Sequence, residues 1–153
     1  MLNVGDKLPD LTLQDDQGQT VRLHDRNAPY VLFVYPKDDT PGCTKEACSF
    51  RDNYGAFKAA GVEVFGLSAD SEASHTKFRE KYNLPFPLLS DPDHQLIEAL
   101  GAWGEKQFMG KSYLGIHRST FVVGGDGTVQ KVYPNVKPSE HANEILRDLG
   151  QAQ

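Results

Sequence analysis

Six consecutive residues, Tyr30-Val31-Leu32-Phe33-Val34-Tyr35, are apolar and rich in β-branched and aromatic side chains. A strand with one face in water alternates apolar and polar residues, so an unbroken run predicts a strand covered on both faces. It is far shorter than the roughly 20 apolar residues a membrane-crossing helix needs. Downstream, Cys43, Ala47, Phe50, Tyr54 and Phe57 recur at spacings of four, three, four and three, one stripe of an amphipathic helix. Gly61 supplies a stop, and Val62 to Ser68 reads as another strand. Strand, helix, strand in that order predicts a parallel βαβ unit.

The remaining segments extend this unit. Leu11-Thr12-Leu13 and Thr20-Val21-Arg22-Leu23 alternate across Asp15-Asp16-Gln17-Gly18, which predicts an N-terminal β-hairpin at a sheet edge. A helix is expected over Ser71 to Tyr82, closed by Pro85 and Pro87, then a short strand at Leu88-Leu89 and a short helix at Leu96 to Leu100. Residues 102 to 117 read as a loop, with Trp103 as its packed anchor. Strands at Ser119 to Val123 and Thr128 to Tyr133 flank Gly124-Gly125-Asp126-Gly127, and a last helix after Pro138 puts Ala142, Ile145, Leu146 and Leu149 on one face. The predicted class is α/β, with an N-terminal β-hairpin and a mixed central sheet flanked by helices. At 153 residues without repeats or long linkers, residues 1–153 are expected to form a single domain.

A net charge of −5 without a basic patch argues against a nucleic-acid partner, and nothing in the sequence predicts a membrane association. The start, Met1-Leu2-Asn3-Val4-Gly5-Asp6, lacks the basic and apolar regions of a secretory signal, which predicts a cytoplasmic location. Two cysteines are too few for a disulfide scaffold, and in a reducing compartment a close pair points to reactive thiols or a metal.

Cys43 carries the chemistry. Thr40 is a good N-cap and Pro41 a favoured first helical residue, so Cys43 falls at the third helical position. The positive end of the helix dipole and unpaired N–H groups there favour a thiolate nucleophile, and Gly42 leaves room for a small reactant. The apolar stripe alone would equally suit a small buried hydrophobe. Cys48, beside Lys45, Arg51 and Asp52, is expected to point away from that stripe. On an intact helix two residues five apart have Cα atoms ~8.7 Å apart, beyond disulfide reach. Were the two thiols to bond, the first helical turns would have to unwind.

Zinc needs four ligands at characteristic spacings, whereas C-x₄-C stands alone and His24, His75, His94, His117 and His141 are scattered singly, which reads against a metal. Absence of C-x-x-C disfavours a disulfide reductase. An enzyme that turns over a substrate at the nucleophilic thiol and a redox-regulated binding protein, whose unwinding exposes apolar surface, both remain readings of the pair; catalytic turnover separates them.

Pro36-Lys37-Asp38-Asp39-Thr40-Pro41-Gly42-Cys43 contains P-x-x-x-T-x-x-C and resembles the peroxiredoxin signature. Tyr35 to Cys48, Pro85 to Asp93 and Gly115 to Phe121 resemble the bacterioferritin comigratory protein (PrxQ) group, and the likeness covers nearly the whole chain. The resemblance implies a thioredoxin-like fold and a thiol peroxidase, with Cys43 as peroxidatic and Cys48 as resolving cysteine. It further implies that Thr40 and Arg118 donate to thiolate or peroxide, that Pro36 shields the sulfur, and that Glu46 orients Arg118. The implied cycle reduces hydrogen peroxide and organic hydroperoxides, closes a Cys43–Cys48 disulfide, and is reset by thioredoxin or a similar dithiol without any cofactor. A monomer is expected, since the resolving thiol lies within the chain. Asp25 to Pro29 is shorter than the group pattern, and Tyr133-Pro134-Asn135 differs from it.

Overall fold

A computed structural model of the chain describes residues 1–24, 26–134 and 136–149. Asp25 and Asn135, within the two departures noted above, lie outside them. The elements are β1 (Thr12–Asp15), β2 (Thr20–Arg22), β3 (Tyr30–Val34), α1 (Pro41–Asp52), α2 (Tyr54–Ala59), β4 (Glu63–Ser68), α3 (Glu72–Tyr82), β5 (Leu88–Ser90), α4 (Gln95–Leu100), β6 (Trp103–Phe108), β7 (Lys111–Ile116), β8 (Ser119–Val123), β9 (Val129–Tyr133) and α5 (His141–Asp148). Seven strands form one sheet in the order β2-β1-β5-β4-β3-β8-β9. β3 pairs with β4 in parallel and with β8 antiparallel, so the sheet is mixed and the N-terminal hairpin lies at its edge.

The apolar run is explained by the two faces of β3. Val31, Phe33 and Tyr35 enter one cluster with Cys43, Ala47, Phe50, Phe78 and Ile145; Tyr30, Leu32 and Val34 enter the other with Phe65, Leu67, Ile97 and Leu100. Helices α1, α3 and α5 thus supply the first face and α4 the second. On the first face the Phe33 ring stacks on Phe50 of α1 with centroids 4.7 Å apart. Gly66 makes room for this stack, since a Cβ there would lie 2.9 Å from Phe33 Cζ and 2.7 Å from Leu88 Cδ2.

Two expectations need correction. The helical stripe from Cys43 to Phe57 is divided at Asn53, whose backbone turns out of the helix (φ −111°, ψ 8°) while its side chain donates to the Ser49 carbonyl at 2.8 Å. Residues 102 to 117 contain not a loop but an antiparallel hairpin, β6 with β7, closed at Phe108↔Lys111. Its two turn residues, Met109 and Gly110, both have positive φ (51° and 78°), as the favoured two-residue turns require. Most of its side chains are exposed or half-buried on both faces, so no apolar alternation marks it. Trp103 accordingly sits in a strand, its ring stacked 3.9 Å from that of His94 and packed on the cluster opposite Cys43.

Candidate active site

The register of β3 with β8 builds the site. Val34 pairs with Ser119, so Arg118 stands beside the point where the chain leaves β3 and turns into α1. That turn runs through Pro36, half-buried, to Thr40, and α1 begins with Pro41 as its first residue. Cys43 is therefore the third helical residue, as expected, and is 1% exposed. Arg118 Nη2 donates to Cys43 Sγ at 3.2 Å while Nη1 donates to Glu46 Oε1 at 2.6 Å. One guanidinium therefore bridges two side chains a helical turn apart. Gly42 permits this approach, because a Cβ would lie 3.1 Å from Arg118 Nη2. The space left by the glycine is thus taken by the guanidinium, whereas the sequence reading assigned it to a reactant.

Glu46 is wholly buried and its Oε2 has no hydrogen-bond partner among the described residues. Burial pushes its carboxyl up to about 7 from the ordinary 4.5, against the opposing pull of Arg118. A short ion pair and a raised carboxyl coexist here because the arginine serves only one oxygen and shares its other arm with sulfur. Desolvation of a fully buried carboxylate can exceed what one partner returns.

Thr40 occupies the N-cap position in backbone terms, but its hydroxyl does not cap the helix. It donates instead to the Lys37 carbonyl at 2.9 Å, leaving its lone pairs free to accept. The amides of the first turn, Cys43 among them, are then without a side-chain cap. The site thus gathers a sulfur, a fixed cation, uncapped N–H donors and a hydroxyl acceptor, a set suited to holding a small O–O compound in line with the sulfur.

Cys48 lies half-buried in the same uninterrupted α1, and both cysteines are free. Burial pushes its thiol up, and Asp52 adds to that while Arg51 opposes it. Five of the six candidate residues gather at the start of α1, Pro36 and Thr40 in the turn, Cys43 and Glu46 on the helix and Arg118 against it, whereas Cys48 lies eighth among the twelve residues of α1.

Sequence reasoning passed over Asp38, Asp39 and His75, which hold the turn from behind. Asp38 is buried and joined to His75, Ser74 and Tyr35, and Asp39 is joined to Lys81 and Tyr82. Two adjacent acids directly before Thr40 were the available signal, but a pair of Asp in a turn ordinarily reads as solvated. Asp38, Asp70 and His75 also bring ligand-type atoms within 4.8 Å of one another. The atoms are engaged already: His75 Nδ1 lies 2.7 Å from Asp38 Oδ2, and Asp70 Oδ2 accepts from Ser68 Oγ and the Asp38 amide.

Residues 4–132 match the model of the AhpC/TSA family. Peroxiredoxin Bcp of Bacillus subtilis is 47% identical over 97% of this chain and 95% of that protein. Peroxiredoxin Bcp of Escherichia coli is 47% identical over 97% and 96%, respectively. The solved structure of the Xanthomonas campestris bacterioferritin comigratory protein, described in connection with alkyl peroxide reduction, superposes with a TM-score of 0.88 at 37% identity, covering 97% of this chain and 98% of that one. Thioredoxin-like architecture, signature and relatives agree, and the chain belongs to the AhpC/TSA family, in its Bcp/PrxQ group of peroxiredoxins.

Proposed function

We propose that this chain, acting as one domain over residues 1–153, is a thiol-dependent peroxidase that reduces hydrogen peroxide and organic hydroperoxides. The observation that carries the reading is the Arg118 guanidinium held at 3.2 Å from Cys43 Sγ by Glu46. A cation so fixed stabilises negative charge on the sulfur and then on the departing oxygen. Cys43 thiolate attacks one peroxide oxygen, the O–O bond breaks, and hydroxide or alkoxide leaves and is protonated. Cys43 is left as sulfenic acid. The Thr40 hydroxyl accepts from the peroxide O–H, and Pro36 shields the sulfur from water.

Cys48 then attacks the sulfenic sulfur, expelling water and forming the Cys43–Cys48 disulfide. Because both residues sit on one intact helix, the step requires the first turns of α1 to unwind. Thiol–disulfide exchange with thioredoxin or a similar dithiol returns the pair to its reduced form, with no further cofactor. We assign the chain to the cytoplasm and to a monomeric state, with no nucleic-acid or membrane partner. Among the described residues, no helix is long and apolar enough to cross a membrane.

Intact mass after one equivalent of hydrogen peroxide tests the assignment. Wild type should lose two hydrogens, Cys48→Ser should gain oxygen, and Cys43→Ser should remain unchanged. A wild type that stays reduced, or a Cys43→Ser variant oxidised at the wild-type rate, would overturn it.

A further inference from the structure

We infer that Asp38 and His75 form a buried, hydrogen-bonded ion pair that positions the Pro36–Thr40 turn for reaction with peroxide; the inference rests on the peroxidase reading above. His75 of α3 has no exposed surface. Its Nδ1 lies 2.7 Å from Asp38 Oδ2 and its Nε2 lies 2.9 Å from the Leu89 carbonyl oxygen. A carbonyl can only accept, so Nε2 carries a proton. A carboxylate can likewise only accept, and a second proton on Nδ1 makes the ring imidazolium.

The alternative is a neutral Asp38 donating to a bare Nδ1. Asp38 is built as an anion instead, since Tyr35 Oη donates to Oδ1 at 2.5 Å and Ser74 Oγ to Oδ2 at 2.8 Å. Burial, reinforced by the Asp38 charge, holds the Tyr35 phenol in its protonated, donating form. Three donors, from Tyr35 just past β3 and from Ser74 and His75 of α3, thus converge on one buried carboxylate at the edge of the first cluster, where an unpaired charge would be costly.

The pair sits where it governs geometry. Asp38 lies two residues before Thr40 and five before Cys43, and its own amide donates to Asp70 Oδ2 at 2.8 Å. Backbone and side chain of one residue are therefore both fixed. The next residue, Asp39, has φ 58°, a left-handed conformation that Asp tolerates, and is tied to Lys81 Nζ and Tyr82 Oη at 2.8 Å each. Helix α3 therefore holds the turn at two successive residues. Arg118 reaches Cys43 from the residue before β8 and does not depend on these ties. Loosening them should disturb the placement of Thr40 and Pro36 while leaving the cation on the sulfur.

That separation gives the test. In a Cys48→Ser background, so that only Cys43 reacts, Asp38→Asn and His75→Gln remove the charges while keeping polar groups of similar size. Single-turnover oxidation by hydrogen peroxide should slow roughly 10–100-fold, the scale of an ångström-sized misplacement. Alkylation by iodoacetamide, which needs the nucleophile but not the peroxide-holding turn, should stay within about twofold of the parent, an unchanged placement of the thiol and its cation. An unchanged peroxide rate in folded variants, or equal loss in both reactions, overturns the positioning role. Should both variants fail to fold, Ser74→Ala, at a half-buried position, removes one donor to Asp38. It should slow peroxide oxidation selectively but less, and no change overturns the inference. NMR of histidine-labelled protein must find protons on both His75 ring nitrogens near neutral pH; a bare nitrogen overturns the ion pair. If the parent itself does not react with peroxide, the peroxidase reading fails, and the NMR result still decides the pair.

Discussion

Replacing Glu46 with glutamine should remove a pH dependence of stability that wild type carries. The carboxyl has an ordinary value of 4.5 and is pushed up to about 7 by burial in α1. Between these values the native state holds a proton that the unfolded chain releases, so unfolding becomes easier as pH rises. The stabilisation is complete below 4.5 and is lost as pH climbs through 7. At about 1.4 kcal/mol per pH unit, the gap amounts to roughly 3 kcal/mol. Glutamine cannot ionise, yet its amide oxygen still accepts from Arg118 Nη1. Urea unfolding of reduced wild type and Glu46→Gln at pH 4.5 and pH 8 measures this directly. The difference between the two proteins should shift by about 3 kcal/mol across that range in favour of glutamine at the alkaline end. Other titrating groups are common to both proteins and cancel. If the difference is flat with pH, Glu46 ionises normally, and the argument that burial outweighs the arginine is wrong. Glu46 lies between the two cysteines, so opening of α1 inherits the same linkage. Disulfide closure in wild type should accordingly become more favourable with rising pH, by up to roughly 100-fold, and that slope should be missing in Glu46→Gln.

Gly42→Ala should lower the peroxide rate about tenfold by pressing a Cβ to 3.1 Å from Arg118 Nη2. Helix propensity should meanwhile keep Tm at or above wild type; an unchanged rate by stopped flow would mean that the guanidinium yields without consequence. Gly66→Ala should destabilise by about 1–3 kcal/mol through overpacking against Phe33 and Leu88. A neutral result in urea titration would show that the Phe33–Phe50 stack moves freely.

The buried β-strand, the amphipathic start of α1 and the third-position cysteine were legible because each rests on local pattern: an apolar run, a 3.6-residue stripe, a cap followed by proline. The β6–β7 hairpin was illegible because both its faces are largely open and Met109-Gly110 carries little of the turn chemistry that Asn-Gly would. The break at Asn53 was hidden because Tyr54 and Phe57 continue the stripe across it. Thr40 shows a finer limit: its type and position predicted a cap, but its hydroxyl is oriented by donation to the Lys37 carbonyl and not toward the first-turn amides, and that acceptor is in place only once the turn is folded. Arg118 on its own reads as a surface charge. Only the β3–β8 register, Val34 opposite Ser119, brings it to a sulfur 75 residues earlier. Long-range pairing carries that information, and no local window contains it.

The same helix imposes an order on the proposed cycle. While α1 is wound, Cys43 has a cation on its sulfur, whereas Cys48 is held toward the thiol form by burial and by Asp52. Peroxide therefore meets one competent nucleophile, not two, although the thiols are only five residues apart. Unwinding reverses both conditions. It withdraws Cys43 from Arg118 and brings Cys48 into water, where the desolvation that restrained its ionisation is gone. Glu46 is released in the same motion, so the carboxyl that holds the arginine during oxidation also favours opening once oxidation is done, at any pH where it would prefer to be charged. The buried Asp38–His75 tie lies upstream of the segment that must move and is anchored to α3 and β5 rather than to α1. The turn can keep its shape while the helix beyond it opens, and rewinding then returns Cys43 to a site still formed around Thr40.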